Sequence, residues 1–553
     1  MNRSRLLLVW PLVLLVATCS REVSSPVLPA PVAEDDSKPQ DGGTLVRRLE
    51  ADVATLNPVM ATSRYEHYLS TSLFDPLVEL DAALQPVHGV ADKWEISPDG
   101  KEYTFHLNPL ATFSDGTPVL ASDVLFTLKK IVDPLTEAPQ IAGQFDQADL
   151  ARTRILDPHT IVIAFKEGLA PQLGWFNTLR PLPEHVYGKG DFKTDFASTA
   201  VGSGSYRLVR RVPGKEILLE RRSDYWGIKP HLQTILFKVI ADDATAWNAI
   251  KVGEIDETMI NSDLWLTESR RPELQKFLEF RRFYPLNYNY IPWNTRDPIL
   301  SDKRVRRALA MCVDLQSIIN NLYHGTARAM NGPFTPDQWA YNPDVPVIQY
   351  SPQEAKRILN SLGWLDTDKD GLLDRNHKPF QLEMLIGSGS IATKTFAELY
   401  QAELRKIGVD LKVTPLDFSA AMQRVLAGNF QSAYLSWDLD PDPDPYALFH
   451  SSQTPPRGYN FVFYKNPVAD KLMDDAHREI DVKKRTVLYR QLHALLAEDQ
   501  PYSWTVEVST KWAINKRVHG AKESRGWGLF GWYPGERDWW IPKSQRTHDL
   551  AAH

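Results

Sequence analysis

Carboxylates carry the most legible chemistry in this chain. The stretch SWDLDPDPDPYALFHS, residues 436–451, sets Asp438, Asp440, Asp442 and Asp444 at alternate positions, and a proline follows each of the last three. Proline fixes its own φ and pushes the residue before it toward extended backbone, so these aspartates cannot all turn inward on one cation. A single rigidly held carboxylate could meet a ligand's ammonium group through a charge-assisted hydrogen bond, strengthened in a desolvated cleft. Four solvated turn residues fit the same run, and the residues alone leave both readings open. A second acidic run, DTDKDGLLD at 366–374, places Asp366, Asp368 and Asp370 like the first ligands of a calcium loop, with Gly371 next and Asp374 beyond. The twelfth position, where such a loop needs a bidentate Glu, is His377, and FQLEMLI after it reads as a strand. The alternative is a surface turn whose Asp side chains cap backbone groups.

Other chemistries lack their signatures. There is no H-E-x-x-H, no G-x-S-x-G and no P-loop, and GSGSY at 202–206 lacks the third glycine of a dinucleotide loop. GSGS at 387–390 has no phosphate-loop spacing, and the histidines show no metal-ligand spacing. No cofactor and no metal are expected outside the Asp366–Asp374 turn, and the chain reads as a non-enzyme. The net charge of -6, with both signs interspersed, excludes the basic stripe of a nucleic-acid binder. The 16 Trp, 20 Tyr and 22 Phe can build a large core and also a pocket that accepts varied ligands by stacking.

The elements that must position the aspartates follow from pattern. With 553 residues there is room for two or three domains. GGTLVRRLEADVATLNP opens on a strand and ends at the Asn57-Pro58 turn. WEISPDGKEYTFHL is a hairpin: Trp94 and Ile96 alternate on the strand that leads into a Ser-Pro-Asp-Gly turn, and Tyr103, Phe105 and Leu107 alternate on the strand that leads out of it. A helix starts near Ser122, and a second hairpin turns at Pro213-Gly214. The later half is α/β. SPQEAKRILNSLG is a helix with Ser351 and Glu354 as a capping box, an apolar stripe of Ala355, Ile358, Leu359 and Leu362, and Gly363 as its stop. Further helices are FAELYQAELRKIG and DFSAAMQRVLAG, with VDLKV a strand between them. FQSAYLSW then reads as one strand, Ala433, Leu435 and Trp437 facing one way and Tyr434 and Ser436 the other. Strand, helix, strand implies a parallel pair. The acidic run therefore starts at the carboxyl end of a strand, where ligand crevices of open α/β sheets lie.

The N-terminus is a targeting segment. MNRSRLLLVWPLVLLVATCS has Arg3 and Arg5, then an apolar run from Leu6 to Ala17 that is short against the roughly 20 residues of a membrane span. Val16-Ala17-Thr18-Cys19 resembles a bacterial lipobox, with Thr18 in the place usually held by Gly or Ala, so residues 1–19 are expected to be a lipoprotein signal peptide and Cys19 the lipidated residue. An ordinary signal peptide with an incidental Cys is the alternative. Residues 20–43, rich in Pro, Ser and acid, read as a flexible tether. Cys312 is the one remaining cysteine and reads as a buried small hydrophobe.

Several segments together resemble the solute-binding proteins of peptide-type ABC importers, the oligopeptide, dipeptide and nickel binders of family 5. They are FDPLVELDAALQPVHGVADKWEISPDGKEYTFHL, ATFSDGTPVLASDVLFTL, GSGSYRL with RRSDYWG, IKVGEIDE, NTRDPILSDKRVRRALAMCVD, WDLDPDPDPYALFHSSQ and YKNPVADKLMDDAHREIDVKKRTVLYRQLHALLAEDQP, in the expected order from about Gly43 to about Pro534. The resemblance implies an α/β, two-lobed periplasmic-binding-protein type II fold with an extra subdomain in the N-terminal lobe. It implies lobe I at 44–76, 190–285 and 506–545, the subdomain at 77–189 and lobe II at 286–505. It implies capture of peptides between the lobes and delivery to an ABC permease by a monomer, lipid-anchored at a bacterial membrane and working in the periplasm or at the cell surface. In the family's peptide binders an Asp three residues after a Trp holds the peptide's α-ammonium group. Here Trp437 and Asp440 match, Ser436 and Asp438 supply main-chain contacts to an extended peptide, and Tyr446 joins the site. Where some relatives carry a basic residue three before the Trp, this chain has Tyr434, and Gly-Ser-Gly-Pro-Tyr appears as Gly202-Ser203-Gly204-Ser205-Tyr206. The extra aspartates are expected to favour a cationic or amine-bearing ligand. A metal chelate, haem or an oligosaccharide is the alternative ligand, and an extracytoplasmic enzyme or a peptide sensor the alternative class.

Overall fold

The structure is a computed structural model that describes residues 34–548 except 82–84, 139–140, 171, 441, 456–457 and 522–534. Arg3, Arg5 and Cys19, and with them the leader and most of the tether, lie outside the described residues. No described helix is long and apolar enough to cross a membrane.

Seven strands form the first sheet, in the order Leu278–Phe283, Thr510–Asn515, Glu257–Met259, Thr44–Leu49, Thr234–Val239, Glu216–Arg221 and Tyr206–Val212. Thr44–Leu49 is central, runs parallel to both neighbours and is buried along its whole length. Its sequence, TLVRRL, is not the near-continuous apolar run usual for a buried parallel strand. Its Arg47 is buried too, ion-paired to Glu257 and Glu536 and lying over the Tyr68 ring. A separate four-stranded antiparallel sheet orders Ala91–Ile96, Glu102–Leu107, Thr160–Ala164 and Arg154–Asp157. The hairpins at 94–107 and 206–221 form as expected. Phe105 packs edge-on to Phe176 with centroids 4.6 Å apart, within one continuous core that also holds Leu45 and Phe237 of the large sheet.

Three of the matched segments meet on Arg222. Its buried guanidinium donates to the carbonyls of Thr112, Phe113, Ser203 and Gly204 and to the Thr112 hydroxyl, at 2.9–3.3 Å. FSDGTP, GSGSY and RRSDYWG are thus stitched together at a structural hub. The glycines of GSGSY serve packing. A Cβ on Gly204 would stand 2.4 Å from the Leu73 carbonyl carbon, and one on Gly202 would stand 2.2 Å from the Leu73 oxygen.

In the second lobe, Gln381–Gly387 is flanked by Asp410–Leu416 and Ser432–Ala433, both parallel to it. The expected strand–helix–strand pair therefore does not lie side by side; each member borders Gln381–Gly387. FQSAYLSW is also not one strand. It breaks at Tyr434, whose N–H donates to Leu385 O (3.0 Å) and whose ring stacks on Phe396 at 3.8 Å. Beyond the break, Leu435–Asp438 leaves that sheet and pairs antiparallel with Asn287–Pro292, which pairs in turn with Tyr502–Trp504. The helix Pro352–Ser361 forms, but its capping box does not: Ser351 makes no side-chain cap bond, and Glu354 binds Arg357 at 2.6 Å instead. Cys312 is fully buried, and burial pushes its thiol up to about 12.

The chain leaves the large sheet after Phe283, enters the second lobe at Asn287, and returns between Val508 and Thr510. These two short crossings, 284–286 and Ser509, are all that separates strands of one lobe from strands of the other.

Candidate functional site

The strand Leu435–Asp438 is an edge strand, with Asn287–Pro292 on one side only. The Leu439 N–H donates to Leu286 O at 2.7 Å, so the odd-numbered residues turn their backbone groups toward the partner strand. By alternation the N–H and C=O groups of Ser436 and Asp438 point to the open edge. An edge of this kind is a template for one more extended chain. Both residues are exposed.

Trp437 fixes the strand from behind. Its ring lies parallel to Tyr290 (6.3 Å, 6°), near-parallel to Phe461 (6.2 Å) and edge-on to Tyr459 (5.7 Å). The chain then enters the Asp-Pro steps. Asp442 is ion-paired to buried Arg485 at 2.6 Å, and that guanidinium lies over the Trp339 ring. Asp444 sits 3.1 Å from His477 and accepts the Tyr446 N–H at 3.0 Å. Burial pushes the Asp444 carboxyl up, but the neighbouring His477 outweighs it and holds the group below its ordinary range, while His477 is raised in return. Tyr446 stacks on His450 (4.3 Å) and leans on His477 (4.7 Å), which places it in the wall supporting Asp444.

Asp440 differs from both. Among the described residues its carboxylate has no hydrogen-bond or ion-pair partner. Its carbonyl is taken by Gln338 Nε2 at 3.2 Å, and the Gln338 Oε1 accepts the Thr335 N–H at 3.0 Å, which locks the amide. The residue is exposed to solvent and yet surrounded by protein, as on the wall of a water-filled cleft. That crowding pushes its carboxyl up to about 6, and the charges of Asp444 and Asp442 add to the push. Solvent exposure of the side chain moderates the shift. Asp438 is raised for the same first reason, offset by a hydrogen bond from Asn287 and by Arg64 in the opposite lobe. Across the cleft the subdomain also touches this wall: Ala170 N–H donates to His477 O at 2.8 Å, and Gly174 lies against Asp442.

The expected negative field is therefore smaller than four aspartates suggest, because Arg485 and His477 offset two of them. Gln338, Arg485, His477 and Arg64 were not legible as site neighbours. They lie far from the acidic run in sequence, and nothing in their own segments marks them. The second acidic run folds as a surface turn. Asp366, Asp368 and Asp370 are exposed, with ligand oxygens within 4.8 Å of one another. Asp366 accepts the Gly371 N–H, and Asp374 is held by the N–H and hydroxyl of Thr367. A groove of about 610 Å³ beside Leu278–Phe283, lined by Trp265, Arg270, Phe280, Arg282 and Lys516 among others, contains none of the residues above.

Comparison with known proteins places this geometry. The family model described as bacterial extracellular solute-binding proteins, family 5 middle, matches residues 85–460. The oligopeptide-binding protein AppA of Bacillus subtilis is 28% identical over 544 residues, covering 96% of this chain and 97% of that protein. The solved structure of AppA in complex with a nonapeptide superposes with a TM-score of 0.74 at 26% identity, over 92% of this chain and 100% of that one. NikZ from Campylobacter jejuni in complex with Ni(L-His) gives 0.76 at 25% identity, over 90% of this chain and 99% of that one. The match spans more than half of the chain, and the chain belongs to the bacterial extracellular solute-binding proteins of family 5.

Proposed function

We propose that this protein captures peptides between its two lobes and hands them to an ABC permease, with Asp440 as the partner of the peptide's α-ammonium group. The observation that carries the reading is the contrast within one acidic run. Asp442 and Asp444 are ion-paired, while Asp440, one step past a free strand edge, is not. An extended peptide hydrogen-bonded to Ser436 and Asp438 brings its N-terminus to that carboxylate. Backbone pairing does not read side chains, so broad sequence tolerance follows. The 28% identity to an oligopeptide-binding protein over 96% of this chain, with a structure of that protein holding a nonapeptide, supports a peptide over a metal chelate, haem or an oligosaccharide.

The protein does no covalent chemistry in this account. Its work is closure about 284–286 and Ser509, with bound ligand favouring the closed state. Residues 44–76, 190–285 and 506–545 form lobe I with the subdomain 77–189, and 286–505 form lobe II. Strand Val506–Val508 is the point of refinement, since it pairs with Ala327–Ala329 and belongs with lobe II. Residues 1–19 are the leader and Cys19 carries the lipid, so a monomer works outside the membrane on the 20–43 tether.

The reading predicts a pH dependence. Ammonium binding needs Asp440 ionised, and in the free protein its carboxyl is raised to about 6. Affinity for trialanine is therefore greatest near pH 7, because above about pH 8 the peptide's own α-ammonium group loses its proton. It falls as pH drops through 6, approaching about tenfold per unit, until the lower pKa of the bound carboxylate is reached. Calorimetry at pH 7.5 and 5 measures it, and the slope is reduced in Asp440→Asn to what the neighbouring Asp442 contributes, whose carboxyl burial also raises to about 6. Equal affinity at both pH values would remove Asp440 from the contact.

A further inference from the structure

One side chain touches the machinery of both crossings and leads to the site. Arg328, on the strand Ala327–Ala329 of the second lobe, donates from Nε to Glu507 Oε2 (2.6 Å) and from Nη2 to Asp337 Oδ2 (2.5 Å). Its guanidinium carbon stands 4.1 Å from the centre of the Tyr284 ring. Tyr284 opens the first crossing, and Glu507 lies two residues before Ser509 of the second. Asp337 precedes Gln338, whose locked amide holds the Asp440 carbonyl.

The turn just before Arg328 grips the first lobe. His324 and Gly325 adopt positive φ (52° and 71°). There Arg282 donates to Gly325 O (3.0 Å), His324 meets Asp263 (3.0 Å), and Ser262 meets the Thr326 hydroxyl (3.2 Å). Ser509 donates from its hydroxyl to Thr326 O at 2.5 Å. A planar guanidinium can hold two carboxylates and stack on a ring at once, which an ammonium cannot. Rotation about 284–286 must carry Tyr284 across that guanidinium or break the stack.

We propose that Arg328 is the positioning residue that sets the balance between open and closed lobes and links it to Asp440, through Tyr284 and Glu507 on the hinge side and Asp337 and Gln338 on the ligand side. The link to ligand rests on the peptide reading above; the control of the lobe balance does not. Because coupling is reciprocal, whatever orders Asp440 biases the hinge, and hinge position biases Asp440.

The test is the inter-lobe distance distribution of the full chain, from spin labels on cysteines introduced at exposed Lys215 and Lys394. It is measured without ligand and with saturating trialanine. Two variants separate positioning from folding. Arg328→Lys keeps the charge but loses the fork, and Tyr284→Leu removes the stack while leaving Glu507 paired. Both are expected to change the ligand-free open-to-closed ratio by about fivefold or more, the lower end of allosteric coupling factors. Both are also expected to reduce closure by trialanine. Ligand-free distributions identical to the native chain in both variants would overturn the proposal. If trialanine fails to close the native chain, the peptide reading falls, and the ligand-free comparison still decides the role of Arg328.

Discussion

Asp440→Ala lowers affinity for free-amine peptides by about 30-fold or more. The figure comes from the cost of truncating one member of a hydrogen-bonded charge pair, about 2 kcal/mol at its lower end. The effect is large because, among the described residues, no neighbouring aspartate is free to take over the ammonium. Asp442 is engaged by Arg485, and Asp444 by His477. Asp438 faces the lobe I cation Arg64. The variant should fold normally, since the Asp440 carboxylate supports no other group and its carbonyl, held by Gln338, is unchanged by the substitution. Asp442→Ala behaves differently: it strands a buried guanidinium and lowers stability. Calorimetric titration with trialanine reads the difference. An Asp440→Ala affinity within about threefold of native would sink the assignment.

Arg222→Met destabilises the first lobe by about 3–5 kcal/mol, because buried carbonyls that lose their donor cost about 1–3 kcal/mol each. One guanidinium satisfies carbonyls from two loops far apart in sequence, 112–113 and 203–204, and its side chain is only 1% exposed. Methionine fills similar space but takes away the donor of the Thr112 and Gly204 carbonyls, while the Phe113 and Ser203 carbonyls keep the Gly116 N–H and Trp226 Nε1. Arg222→Lys should not rescue, because one ammonium cannot reach both loops. Urea unfolding followed by tryptophan fluorescence measures the loss. A change under about 1 kcal/mol would mean that the hub adds little to the lobe.

What was legible beforehand follows the range of the forces involved. Hairpins and helices are local, and the Trp94–Leu107 hairpin and the Ala355–Leu359 helix face lay where alternation and helical spacing placed them. The position of the acidic run beyond a strand was legible for the same reason. The break at Tyr434 was not, because it arises from stacking on Phe396 and from a sheet partner at Leu385, neither visible in the strand's own pattern. Nor was the sorting of the aspartates. It depends on Arg485 and His477, which helices Val482–Asp499 and Pro467–Arg478 deliver from across the lobe. The capping box at Ser351 failed for a local reason: its backbone, at φ -157° and ψ 78°, does not hold the hydroxyl over the first turn. The proposal for Asp440 came from the resemblance to a family, and it is supported by a carboxylate without a hydrogen-bond or ion-pair partner among the described residues, beside an open strand edge.

In the proposed site Asp440 holds the ligand's free amine. This contact is tested most directly by titrating the native chain, in one calorimeter at pH 7.5, with trialanine and with N-acetyl-trialanine. Acetylation removes the charge and leaves the backbone contacts to Ser436 and Asp438, and it is expected to weaken binding by about 30-fold or more. Equal binding of the two peptides would contradict it.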